Sequence, residues 1–110
     1  MADNKLRNTR HADASLEPMF IERWSSKSFT SRPLAQAQIA SLFEAARWAP
    51  SSGNRQPMLF VYATDGADRQ KFDSVLNESN RKWASRSAMM VLVFARTVTD
   101  DGDEIRYSPI

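Results

Sequence analysis

The chain has no cysteine. Disulfides, thiolate nucleophiles and thiolate metal sites are excluded together, and the composition fits a reducing compartment. Histidine is almost as scarce, with His11 alone in a polar, unpatterned stretch. A Ser-His-Asp triad needs a base oriented by a carboxylate, and a histidine metal site needs more than one imidazole; neither has support. Long apolar runs are missing too. The longest, AMMVLVFA at 88–95, is eight residues, too short to span a bilayer. Residues 1–15 lack the apolar core of a signal peptide, so a cytoplasmic protein is the expectation. No charge of one sign dominates: Lys+Arg is 15 and Asp+Glu is 13, a formal net charge of +2. The pI is about 9.3, but the basic residues form no stripe interleaved with stacking aromatics. Neither nucleic acid nor a membrane is an expected partner. Asp100, Asp101, Asp103 and Glu104 lack the alternation and glycine position of a calcium loop and read as a solvated turn.

What is present is enough for one small domain. Residues 1–14 read as a flexible N-terminal arm. Leu16, Met19, Phe20 and Trp24 share one helical face, with Ser15 as the cap. SKSFTSRP then reads as a loop, because Pro33 disfavours helix at Arg32. Ile39, Leu42, Phe43 and Ala46 predict an amphipathic helix between Pro33 and Pro50, with Ala35 where a polar cap would be stronger. MLFVYAT (58–64) predicts a strand bounded by Pro57 and Asp65-Gly66. A third helix is expected over about 68–84, turning Phe72, Val75, Leu76 and Trp83 inward. AMMVLVFAR (88–96) is apolar on both faces and reads as a central strand covered on each side. The order is α, α, β, α, β. After 97 the chain runs through a polar turn with no closing element, and residues 15–110 read as the N-terminal portion of a longer domain.

Two segments carry candidate chemistry. In RWSSKSF (23–29), Arg23, Ser25 and Lys27 alternate, so an extended backbone sets all three to one side. A guanidinium grips two oxygens, an ammonium adds a point charge and a hydroxyl adds a donor, which together suit a phosphate. Taken alone, the segment reads more readily as a solvated loop. The second is ARWAPSSGNRQPMLFV (46–61). A turn accounts for Pro50 as a stop, Gly53 as a positive-φ residue, and Ser51 and Ser52 as local caps. It does not need Asn54 and Gln56 together, whose amides can read a flat heterocycle by its alternating donors and acceptors.

The compound of RWSSKSF, a helix ending in AARWAPSSGNRQP (45–57) and the strand MLFVYAT resembles the N-terminal half of the FMN-dependent nitroreductase family, over about residues 16–97. The resemblance implies an α+β fold, a mixed sheet flanked by helices, truncated here. It implies that Arg23 and Ser25 hold the FMN phosphate and ribityl end, with Trp24 between them in the same cofactor-binding set. Lys27 is implied to approach the flavin near N1 and O2, where positive charge stabilises the reduced, anionic ring. Pro50, Ser51, Ser52, Asn54 and Gln56 are implied to line the flavin from across a homodimer interface. Asn80, in SNRKW, falls where many members place a cofactor-contacting asparagine. The implied activity is a ping-pong NAD(P)H oxidoreductase reducing nitroaromatics, quinones or similar small acceptors, with no protein acid or base and no metal. The chain departs from the family at Met58, where tryptophan often follows Q-P, and at Trp83, where some members carry a basic residue. It also lacks a later glycine-rich segment and a late basic residue. A flavin-binding or dimerisation module without turnover is the alternative.

Overall fold

Pro18 decides where the first helix begins. The computed structural model describes residues 9–30 and 32–105. The helix expected from Ser15 is a single turn, α1 (Met19–Glu22), with Pro18 rather than Ser15 at its N-cap. Proline has no N–H to leave unpaired and disfavours helical backbone at Glu17. None of the four residues is buried, so no apolar face pays for lengthening the helix. Of the expected arm, 1–8 lies outside the described residues, and 9–14 is exposed without helix or strand.

The helix between the prolines forms as expected: α2 (Gln36–Arg47). Ala35 at its N-cap offers no side-chain acceptor, but the Gln38 Oε1 accepts from the Ala35 N–H at 2.8 Å, the reciprocal half of a capping box. Ile39 is buried and Phe43 and Ala46 are half-buried, while Leu42 stays exposed.

The expected strands become β1 (Met58–Ala63) and β2 (Met90–Ala95), an antiparallel pair in which Phe60 faces Val93 and Leu59 faces Phe94. Alternation along the strand puts Met58, Phe60 and Tyr62 on one face. Phe43 of α2 packs there, with ring centroids 5.8 Å from Phe60 and 5.1 Å from Tyr62. The opposite face carries Leu59, 55% exposed, and Phe94, 51% exposed. The reading of 88–96 as a central strand is therefore corrected for the described residues: β2 has one neighbour, β1, and much of its cover is absent from them.

The single helix expected over 68–84 is two, α3 (Gly66–Ser74) and α4 (Glu78–Ala84). Asn77 is the cause. Its side chain accepts from the Asn80 N–H at 2.8 Å, a strong N-cap that starts a new helix. Val75 falls at the break and is exposed, while Phe72 is buried. The two helices are tied by reciprocal arginines. Arg81 of α4 donates to the Asp73 carbonyl at 3.1 Å and the Leu76 carbonyl at 2.7 Å, at the end of α3. Arg69 of α3, 7% exposed, donates to the Ala84 and Ser85 carbonyls at 3.0 and 3.2 Å, at the end of α4. It also bonds Ser87 Oγ at 2.9 Å and pairs with Asp73 at 3.0 Å. Each cation donates to carbonyls at the C-terminal end of the other helix.

Residues 97–105 fold as a tight hairpin around the expected polar turn, whose residues 100–104 are exposed. Thr99 N–H donates to the Asp103 carbonyl and Ile105 N–H to the Thr97 carbonyl, both at 2.8 Å. Gly102 takes φ 89° at the tip, and Ile105 is buried. Among the described residues the buried apolar set is small: Ile39, Ala63, Phe72 and Ile105. No helix among them is long and apolar enough to cross a membrane.

Candidate flavin site

The loop from α2 to β1 is built from left-handed backbone. Pro50 follows the end of α2, and Ser52–Asn54 form one 3-10 turn. Gly53 has φ 59°, as its type allows. Asn54 at φ 51° and Gln56 at φ 48° share that region. Asparagine tolerates it, but glutamine there is uncommon and costs about 1–2 kcal/mol. Ser51 Oγ holds the turn by accepting the Gln56 N–H at 3.1 Å, with Pro57 following. Strain kept by a surrounding loop is typical of ligand-contacting positions. The result is an open cleft of about 400 Å3. Phe43, Ala46, Arg47 and Ala49 form one wall, Pro50, Ser51, Gln56 and Pro57 the loop side, and Met58 and Phe60 the strand side. An apolar floor with a few polar groups at its edge suits a flat ring. Gln56→Gly is expected to hold or raise unfolding stability, by up to about 1 kcal/mol. Thermal unfolding checks this; a loss of stability would contradict it.

The end of α2 beside this cleft is fixed by a three-residue cluster. Glu44 accepts from Arg47 at 2.8 and 3.0 Å and from the Trp48 indole N–H at 2.7 Å. The Arg47 guanidinium lies 4.7 Å from the centre of the Trp48 ring, which is 73% exposed. Hydrogen bonds from Arg47, and then Trp48, pull the Glu44 carboxyl down from 4.5 to about 2. Its folded value lies below its unfolded one, so the unfolded chain binds the proton first as pH falls. The stabilisation is complete above pH 4.5 and is lost as pH falls from there through about 2. A carboxyl NMR titration checks this; a Glu44 midpoint at its ordinary value would contradict it.

The RWSSKSF segment lies elsewhere. Arg23 follows α1 in extended backbone (φ −66°, ψ 137°), and its carbonyl accepts from Arg10 at 2.6 Å. Its guanidinium has no ion-pair or hydrogen-bond partner among the described residues. Trp24 and Ser25 are exposed. The hydrogen bonds of the following loop are local: Ser26 Oγ donates to the Ser28 carbonyl at 2.8 Å and accepts its N–H at 3.3 Å. Lys27 Nζ stands 5.9 Å from the centre of the Trp83 ring. Phe29 stacks on the same tryptophan at 6.2 Å and 23°. Asn80 lies one turn before Trp83 on α4 and is exposed, its backbone N–H held by Asn77.

The fold thus brings the expected residues into two groups. Pro50, Ser51 and Gln56 line the cleft, with Ser52 and Asn54 exposed on the same loop. Lys27 is joined to the helix that carries Asn80, through Trp83. No residue of 23–29 lines the cleft. The sequence reading missed Phe43, Arg47 and Phe60 as cleft walls and Glu44 as the anchor of Arg47 and Trp48. The i, i+3, i+4 spacing of those three was the available signal.

An α+β chain with a strained polar helix-to-strand loop over an apolar cleft, and on a separate segment a cation unpaired among the described residues, is what these observations define. The family model described as "Nitroreductase family" matches residues 21–104, and the chain belongs to that family. A provisionally named NADH dehydrogenase/NAD(P)H nitroreductase of Streptomyces coelicolor is 34% identical over 77 residues, 70% of this chain and 38% of its own length. A protein of the same provisional name from Xanthomonas oryzae pv. oryzae is 25% identical over 80 residues, 73% of this chain and 41% of its own. A solved oxidoreductase containing FMN superposes with a TM-score of 0.80 at 34% identity, over 88% of this chain and 50% of that one. The chain thus spans half or less of the length of these relatives.

Proposed function

We propose that the chain is part of an FMN-dependent NAD(P)H oxidoreductase that reduces nitroaromatics, quinones or similar small acceptors. The observation that carries this reading is the strained loop at Gln56 over an apolar cleft. The residues fit the group. Arg23, without a carboxylate partner among the described residues, and Ser25 would hold the phosphate and ribityl end, with Trp24 beside them. Lys27 would face the electron-rich edge of the ring. Pro50, Ser51, Ser52, Asn54 and Gln56 would line the ring, and Asn80 would add an amide from α4. Ser51 acts mainly by keeping the loop in shape, since its Oγ already accepts from Gln56. Bound FMN supplies the hydride chemistry between NAD(P)H and the acceptor; the protein orients the ring and sets the charge around it.

The same reading includes assembly as a homodimer. No residue of 23–29 lines the cleft, which supports a reading in which a second copy unites the two groups across an interface. The exposed Leu59 and Phe94 face is apolar surface of the kind that association or further chain covers. The module reading without turnover draws on the chain's share of its relatives, 38–50%. Steady-state NAD(P)H oxidation by the FMN-loaded protein with an added quinone separates the two. Turnover supports the enzyme; FMN binding without turnover supports the module; neither binding nor turnover overturns both.

A further inference from the structure

We propose that Trp83 is a positioning residue for Lys27. This rests on the flavin reading above and adds to it a role for a side chain of another element. The observations are geometric. Lys27 Nζ lies 5.9 Å from the centre of the Trp83 ring, within the range over which an indole face attracts an ammonium. Phe29, two residues on, stacks against the same ring at 6.2 Å. Lys27 has no ion pair among the described residues, and the hydrogen bonds of its loop are local. The tryptophan is therefore what orders the ammonium. A solvated lysine has a long, freely rotating stem; one held on an aromatic face keeps its charge in one place without being neutralised.

Trp83 is itself well placed to do this. It sits on α4, whose start is fixed by the Asn77 cap and whose end is held by Arg69 at 3.0 and 3.2 Å. Arg81 ties the same helix back to the end of α3. A rigid helix thus carries the ring, the ring carries the ammonium, and Phe29 keeps the loop against it. Charge held in place in advance stabilises a developing anion more than charge that must reorganise. Trp83 would act through Lys27 and need not touch the reacting atoms.

The test has a readout without FMN and one with it. Aromatic ring current shifts the Lys27 Hε resonances upfield, and loss of the signal in Lys27→Met assigns them. Trp83→Leu is expected to return them to the ordinary lysine position, and Trp83→Phe to keep part of the shift. With FMN bound, Trp83→Leu is expected to lower the midpoint potential in the same direction as Lys27→Met. The loss of preference for reduced over oxidised FMN is about two- to fivefold. The double variant should lie no lower than Lys27→Met alone. Lys27 resonances unmoved by Trp83→Leu, or potential effects that simply add, overturn the proposal. If Trp83→Leu does not fold, the Trp83→Phe spectrum decides, an unshifted Lys27 counting against it. If the wild-type protein takes up no FMN, the flavin reading fails, and the proton spectra alone decide whether Trp83 holds Lys27.

Discussion

Arg23→Ala is expected to weaken FMN binding by about ten- to hundredfold while leaving the unfolding transition in place. A guanidinium makes charge-assisted hydrogen bonds to a phosphate, and losing the equivalent of one costs about 1.5–3 kcal/mol. Arg23 is suited to that role because its guanidinium has no partner among the described residues and follows the last turn of α1 in extended backbone. Its contribution to the fold runs through its backbone carbonyl, which accepts from Arg10 and survives substitution. Riboflavin separates phosphate binding from a general loss of the site. It lacks the phosphate, so wild type and Arg23→Ala should bind it equally. A variant that loses riboflavin and FMN alike would assign Arg23 to the ring or to folding instead. Lys27→Ala should show the opposite division, with a modest loss of affinity and a clear shift in potential.

The second large effect is structural. Arg69→Ala is expected to lower the unfolding free energy by about 3 kcal/mol, or about 10–20 °C in melting temperature for a domain of this size. Arg69 closes the end of α4, pairs with Asp73 and reaches Ser87. Removing it takes the donor from the Ser85 carbonyl and from the Asp73 carboxylate, while the Ala84 carbonyl keeps the Ser87 N–H and Oγ. Arg69→Lys should recover only part of the loss, because an ammonium cannot reproduce the planar fork. Because α4 carries Trp83 and Asn80, the same substitution should loosen Lys27 as well. Thermal unfolding of both variants checks this; a melting temperature within about 2 °C of wild type for Arg69→Ala would contradict the account of how α3 and α4 are joined.

The sequence showed those parts of the fold that local patterning dictates. The apolar stripe of α2 lies between two prolines, and both strands are β-branched and aromatic, so each announced itself. The break at Asn77 did not, because Phe72, Val75, Leu76 and Trp83 keep helical spacing across it. One side-chain cap overrides that periodicity. Ser15 failed as a cap for the converse reason, since Pro18 sets the start and no buried face rewards a longer helix. The polar loop stood out in the sequence because Asn54 and Gln56 exceed what a turn requires. Their left-handed backbone was not legible, since only glycine advertises it. Arg69 was invisible: a lone arginine in a polar helix looks solvated until the carbonyls of another helix close around it. The Lys27–Trp83 contact spans 56 positions of sequence, beyond any local pattern.

FMN uptake by the protein expressed from its full reading frame tests the central claim most directly, followed by visible absorbance and flavin fluorescence. The account predicts saturable binding with a perturbed flavin spectrum, weakened by Arg23→Ala and by Gln56→Gly. A folded protein that purifies without flavin and leaves the spectrum and fluorescence of added FMN unchanged would contradict it.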